Sequence, residues 1–139
     1  MNGKKRIAVL TGAGVSAESG LKTYRDNGGL WNGVDPMEVA SIEGWRRDPG
    51  KVLEFYNVRR AELEGARPNE AHRLIASLEG KCIVDVITHN VDNLHERAGS
   101  THVVHLHGEL TKIRPEDSCN EYDGYSEKYV IDIGYDSVH

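Results

Sequence analysis

The sequence predicts an α/β fold: a parallel sheet whose first strand runs into a glycine turn and a short helix, with a helical module inserted before the second strand. Three observations predict it. Ile7 to Leu10 is an unbroken apolar run with β-branched members, bounded by charge before it and glycine after it. Such a run reads as a short strand buried on both faces, as in a parallel sheet. Two further apolar segments, Cys82 to Thr88 and His102 to Leu106, are each followed at once by polar residues, at the strand ends where an open parallel sheet receives ligands. Between the first and second strands the chain carries helical patterns rather than a strand.

The glycine turn comes first. Gly12, Gly14 and Ala17 follow the strand at the spacing G-x-G-x-x-A, which fits a dinucleotide-binding fingerprint. The first glycine lets the chain turn sharply, the second lets a pyrophosphate approach the backbone, and the small third residue lets the next helix pack close. A purely structural tight turn is the alternative. Ser16 to Gly20 is expected to form a short helix whose free N–H groups face an anion. In an ordinary dinucleotide unit the second strand and its ribose-binding acid follow about 20 residues later. Here that region reads DNGGLWNGVDP, a glycine-rich loop, so a module is inserted.

Bulk properties bound the class. A chain of 139 residues is most simply one domain, and 38% hydrophobic with 28% charged residues is ordinary for a soluble globular protein. A net charge of −5 gives no general attraction to nucleic acid or an anionic membrane. Arg46, Arg47, Lys51, Arg59 and Arg60 cluster, but Glu54, Glu62 and Glu64 are interleaved, so a solvated helix face is expected. No apolar run reaches membrane-spanning length and no signal peptide precedes the first strand. Cys82 and Cys119 lack CxxC spacing, which predicts neither a disulfide framework nor a zinc site and fits a reducing cytoplasm.

In chain order, the loop Asp26 to Asp35 carries Gly28, Gly29 and Gly33 around Leu30 and Trp31. It reads either as a mobile segment that closes over a ligand or as a surface loop pinned by its tryptophan. Pro36 opens a short helix through Ala40, and Ser41 caps another containing Trp45. Pro49 to Leu63 is a longer helix whose Val52, Phe55, Tyr56, Arg59 and Leu63 share one face. An arginine on that stripe needs a partner, either a protein carboxylate or an anionic ligand; taken alone, an ion pair is the simpler reading. Pro68 starts the next helix, with Ala71, Leu74, Ile75 and Leu78 expected inward and Gly80 ending it.

The strand ending at Thr88 leads into His89-Asn90-Val91-Asp92-Asn93-Leu94-His95 and a short helix closed by Gly99. Either Asp92 or Asn93 is expected to cap that helix. Of His89, His95, His102, His105 and His107, most are expected at the surface or in caps. His107, just past the third strand and beside Gly108, is best placed for a general base. Beyond Leu110 little helical pattern remains, and Tyr129 to Ile133 reads as a short strand.

Together these segments resemble the sirtuin family of NAD-dependent protein lysine deacylases. GAGVSAESGLKTYR, GGLW, THNVDNLHERAG and HLHGEL occur in order from Arg6 to Leu110. The resemblance implies a Rossmann-like fold carrying the first three strands of a doubly wound sheet. Its Rossmann-type parts would span about 1–24 and 66–109, with a helical small-domain insert at about 25–65 and a second small-domain segment at about 110–139. It implies NAD as cofactor, an NAD pocket formed by Gly12, Ala13, Gly14, Ser16, Ala17, Tyr24, Arg25, His89, Asn90 and Asp92, and catalysis by His107 with Asn90 near the nicotinamide ribose. Tyr56 and Arg59 have the Y-x-x-R spacing of the branch that removes succinyl and malonyl groups, which would give the stripe arginine an anionic partner in acyl-lysine substrates. The family usually has Gln where His89 stands and Pro where Lys22 stands. A four-cysteine zinc ribbon, frequent after HGEL, is not expected with Cys119 alone. Because the resemblance spans only part of a sirtuin core, two readings follow: an NAD-dependent deacylase, or a catalytically incompetent binding or assembly module that self-associates through an open sheet edge.

Overall fold

The computed structural model describes residues 3–22, 33–115 and 130–139. Tyr24, Arg25, Leu30, Trp31, Cys119 and Tyr129 lie outside the described residues, with most of the Asp26 to Asp35 loop.

Strand β1 (Arg6–Thr11) runs into helix α1 (Gly14–Ala17) through the glycine turn. Helices α2 (Pro36–Val39), α3 (Ile42–Arg47) and α4 (Pro49–Gly65) follow, then α5 (Glu70–Ser77), β2 (Ile83–Thr88), α6 (Leu94–Ala98) and β3 (Val103–His105). The short strands β4 (Lys112–Ile113) and β5 (Ile131–Asp132) pair antiparallel. β1, β2 and β3 form a parallel sheet in that order, so the fold is Rossmann-like α/β, and among the described residues helices α1 to α4 lie between the first strand and the α5–β2 unit.

Local chemistry explains the boundaries. Asp35, Ser41 and Asp48 accept backbone N–H groups at the starts of α2, α3 and α4, and proline occupies the first turn of α2 and α4. Gly44 is required by packing, because a Cβ there would lie 2.2 Å from the Glu38 carbonyl oxygen of α2. Asn69 caps α5, and its side chain also reaches back to the Val15 carbonyl at 2.7 Å and to Ser19 Oγ at 3.0 Å. One residue therefore fixes both the start of α5 and its seat beside α1.

Four expectations are corrected. The helix after the glycine turn occupies Gly14–Ala17 rather than Ser16 to Gly20, and the N–H groups of Val15 and Ser16 already bond the carbonyls of Gly12 and Ala13. β1 is a strand but is covered on one face only: Ile7, Val9 and Thr11 are half-buried, while Ala8 and Leu10 are exposed, Leu10 by 69%. Strand residues alternate sides, and the register sets Leu10, Ile87 and Val104 on the same uncovered face. In α5 the buried residue is His72, whereas Ala71, Leu74 and Leu78 are exposed; packing of α5 against α6, not the leucine spacing, decides its inner side. Arg59 and Arg60 do not lie on a solvated face. Both are buried, and Arg60 donates to the Asp136 and Leu110 carbonyls and to Asn57 Oδ1, tying α4 to the segment after β5.

The apolar core sits beyond the C-terminal ends of the strands. Leu21, Leu63, Ala66, Leu94 and Leu110 form one buried cluster, with Tyr56, Val91 and Tyr135 packed on it. Leu63 is fully buried, and it joins α4 to the segments that follow β2 and β3. Leu63→Ala is expected to cost about 3 kcal/mol through lost burial and a residual cavity. Urea unfolding of the two proteins checks this; a change within experimental error would place the core elsewhere.

Candidate functional site

The strand ends and α4 enclose a cavity of about 410 Å³. Ala13 and Ser16 line it from the glycine turn, Leu21 and Lys22 from the segment after α1, and Ala40 from the end of α2. Tyr56 and Arg59 enter from α4, His89, Asn90, Val91 and Asp92 from the end of β2, and His107 and Leu110 from beyond β3. The parallel register causes this convergence, because Thr11 pairs with Thr88 and Thr88 with His105. Gly12, Gly14 and Ala17 form the turn and helix at its side and are not among the lining residues.

At its floor the Ser16 hydroxyl is saturated. It donates its single proton to Asp92 Oδ2 at 2.9 Å, because a carboxylate only accepts, and it receives Asn90 Nδ2–H at 3.1 Å. His72 supplies the third partner. Its Nδ1 accepts the Asn69 backbone N–H, so the proton of the neutral ring lies on Nε2, 3.5 Å from Ser16 Oγ. A hydroxyl with one donated and two received bonds has no lone pair left for nucleophilic attack. Ser16 instead sets the spacing of Asn90 and Asp92. Asp92 Oδ1 also accepts the Leu94 N–H at the start of α6, so Asp92, rather than Asn93, carries the side-chain cap. The Asn90 N–H is held by Thr88 Oγ1 at 3.0 Å.

Buried histidines surround this floor. His95, expected in a cap or at the surface, is fully buried, with Nε2 3.0 Å from Thr11 Oγ1 and its ring edge-on to His72. Burial, the largest cause, holds both His72 and His95 below the ordinary histidine value despite the attraction of Asp92. His105 is the opposite case. Its Nδ1–H donates to the Asn90 carbonyl at 2.7 Å, so the 2.7 Å contact of Nε2 with Glu96 requires a second proton. Burial opposes that charge, but Glu96, the Asn90 carbonyl and Glu109 outweigh it and raise the value. Among the described residues, Glu96, His105 and Glu109 have the spacing of a metal-ligand group. Their charges are already matched, His105 against Glu96 and Lys112 against Glu109 at 2.6 Å.

In the outer part, Tyr56 and Arg59 project together from α4. Arg59 is buried with Glu62 3.4 Å away, and burial raises the Tyr56 hydroxyl above its usual value although Arg59 pulls it down. His89 Nδ1 lies 3.0 Å from His107 Nε2. The expected residues Ala13, Ser16, Tyr56, Arg59, His89, Asn90, Asp92 and His107 thus share one cavity. His72 was absent from the sequence reading; its signal was the capping-box spacing Asn69-x-x-His72. Ala40 carries no such signal.

The histidines give stability an opposed pH dependence. For His72 and His95, depressed in the fold, the stability is complete above the ordinary value of 6.5 and is lost as pH falls below it. For His105, raised in the fold, the contribution is complete below 6.5 and is lost as pH rises through the folded value. His105→Gln is therefore expected to destabilise more at about pH 5.5 than at about pH 8, and His95→Leu less at the lower pH. Urea unfolding at both values checks this; the same trend in both variants would refute the charge states.

Comparison with known proteins identifies the family. The model of the Sir2 family matches residues 12–134. An NAD-dependent protein deacylase of Bacteroides thetaiotaomicron is 54% identical over 129 residues, covering 93% of this chain and 53% of that protein. One of Helicobacter pylori is 57% identical over 116 residues, covering 84% of this chain and 50% of that protein. A crystal structure of a Sir2 homologue with NAD superposes with a TM-score of 0.77 at 44% identity, covering 94% of this chain and 48% of that one. A Sir2 protein in complex with the inhibitor EX-527, 2′-O-acetyl-ADP-ribose and a deacetylated p53 peptide gives 0.65 at 30% identity, covering 93% and 47%. The chain spans about half the length of the curated relatives it matches. By its family match, its sequence identity and its fold, it belongs to the Sir2 family.

Proposed function

We propose that this chain carries the N-terminal part of an NAD-dependent protein lysine deacylase. The observation that carries the reading is the single cavity in which the Ser16–Asn90–Asp92 floor, His107 and the Tyr56–Arg59 pair meet. The names of its relatives and the NAD complex of a homologue support it. The residues fit the nicotinamide and ribose end of the dinucleotide. Asn90 and Asp92 offer amide and carboxylate chemistry, and among the described residues nothing lies within 4 Å of where a Cβ would stand on Gly12 or Gly14, which gives a phosphate room beside the turn. The resemblance also assigns Tyr24 and Arg25 to NAD, and both lie outside the described residues.

NAD held there would supply an electrophilic ribose carbon on loss of nicotinamide, so that with one water consumed the acyl group would pass to ADP-ribose and lysine would be freed. Asn90 orients the ribose and Asp92 the carboxamide, both held in place by Ser16. His107 removes a proton from a ribose hydroxyl. Tyr56 and Arg59 receive the acyl group, and a guanidinium with several N–H donors accommodates a ligand carboxylate beside Glu62. This favours succinyl- and malonyl-lysine over acetyl-lysine. In the same reading the domain division is 1–24 with 66–109 as Rossmann-type parts, 25–65 as the insert and 110–139 as a second small-domain segment. The compartment is the cytoplasm; no helix among the described residues is long and apolar enough to cross a membrane.

A second reading is favoured by the uncovered sheet face. Leu10 is 69% and Val104 53% exposed, and among the described residues β1 has no partner strand on its outer edge. Such a face and edge promote association with another chain. Acting alone, the chain would then be an assembly module.

Titration of residues 1–139 is expected to show weak NAD binding, lost in Asn90→Ala. Arg59→Met is expected to weaken a succinyl-lysine peptide by about 2 kcal/mol while sparing the acetyl-lysine peptide; equal losses would make Arg59 purely structural. Light scattering is expected to show self-association without deacylase turnover, and a stable, active monomer would refute the assembly reading.

A further inference from the structure

His89 stands immediately after β2 and His107 two residues after β3. The strands are parallel neighbours, and Leu106 N–H bonds the Thr88 carbonyl at 3.0 Å, so the two chain ends leave the sheet side by side. The His89 N–H is fixed in turn on the Thr11 carbonyl at 3.1 Å, and Gly108, at φ +81°, turns the chain away directly after His107. The sheet register itself therefore brings the imidazoles together, with ring centroids 5.2 Å apart and His89 Nδ1 3.0 Å from His107 Nε2. At that distance one ring donates and the other accepts.

We propose that His89 is a positioning residue for His107, accepting the His107 Nε2–H through its own Nδ1 and leaving His107 Nδ1 as the basic nitrogen. This deepens the reading of His107 as general base and rests on it. Only two neutral arrangements satisfy the contact. With His107 as donor, both rings carry their proton on Nε2, the commoner tautomer of a neutral imidazole side chain in water. With His89 as donor, both rings adopt the rarer Nδ1–H form and the basic nitrogen of His107 is blocked. The first arrangement is favoured in each ring and keeps one lone pair available.

The partner also stabilises what the base becomes. When His107 Nδ1 takes a proton, the ring turns cationic and its Nε2–H bond to His89 becomes charge-assisted. Lys22 and Arg59 line the same cavity and oppose that positive charge, while Asp92 favours it. An acceptor on His107 Nε2 acts as the carbonyl or carboxylate behind a catalytic histidine does, fixing the tautomer and raising basicity. His89 thus acts through His107 rather than directly on the dinucleotide, although the resemblance places it among the NAD-pocket residues.

The test uses ¹⁵N-labelled chain at mildly alkaline pH, read by long-range ¹H–¹⁵N spectra of the histidine rings. The expected result is His107 as the Nε2–H form with a through-hydrogen-bond ¹⁵N–¹⁵N coupling to His89 Nδ1. His89→Ala, at an exposed position, is expected to lose the coupling and return His107 to an exchanging tautomer mixture. His89→Asp, which places an acceptor-only oxygen near the Nδ1 position, is expected to restore the Nε2–H form. A proton on His89 Nδ1, or a His107 ring indifferent to His89→Ala, would overturn the proposal. NAD titrated into the same sample separates it from the reading it rests on. Absent NAD-dependent shifts around Ser16 and Asn90 with the pair intact would overturn the binding reading alone.

Discussion

The Ser16 hydroxyl is the point on which the site depends. It joins three segments that are remote in sequence: α1 through Ser16 itself, the end of β2 through Asn90 and Asp92, and α5 through His72. Each partner is constrained independently, Asp92 by the Leu94 N–H, Asn90 by Thr88 and His105, and His72 by the Asn69 cap. A buried polar group is costly unless paired, and here every valence of one hydroxyl is used. Shifting any of the three segments would leave a buried acceptor or donor without its partner. The floor of the cavity is rigid for that reason, without any residue in it being large.

The parallel register supplies the rest of the geometry. With Thr11, Thr88 and His105 level across the sheet, the residues that follow each strand arrive at one place. α4 then closes the cavity from the side, held by Leu63 in the core and by Arg60 on the carbonyls of Leu110 and Asp136. The opposite face of the sheet tells a different story. Leu10 and Val104 are apolar and uncovered there, although a parallel sheet is ordinarily buried on both sides. The site is assembled beyond the strand ends, while this face leaves Leu10 and Val104 exposed.

Histidine chemistry within this small region is set by surroundings rather than by residue type. His72 and His95 are held neutral because burial penalises charge. His105 is also largely buried, yet it carries charge because a carboxylate lies at 2.7 Å and a carbonyl fixes its other nitrogen. The His89 and His107 rings lie within hydrogen-bonding distance of one another across the cavity mouth. Four distinct settings of one side chain thus coexist: a buried tie, a packed ring, a charged clamp and an exposed ring pair.

The sequence by itself determined what depends on near neighbours. The glycine turn after β1, the helix starts at Pro36 and Pro49, the cap at Ser41, the Tyr56–Arg59 face of α4 and the polar residues after β2 and β3 follow from spacings of a few residues. The ordered motifs along the chain also carried the family. Tertiary structure decided which surface each element meets. Leucine spacing in α5 pointed to Leu74 and Leu78, but α6 covers the His72 side and leaves Leu74 58% exposed. The apolar run of β1 pointed to burial on both faces, but a strand's outer face is buried only where another layer arrives. Interleaved charges pointed to a solvated face on α4, yet Arg60 found carbonyls 50 and 76 positions away. Ser16 and Asp92 are likewise 76 residues apart. Periodicity reports which residues share a face; the partner for that face is chosen only when distant segments close on one another.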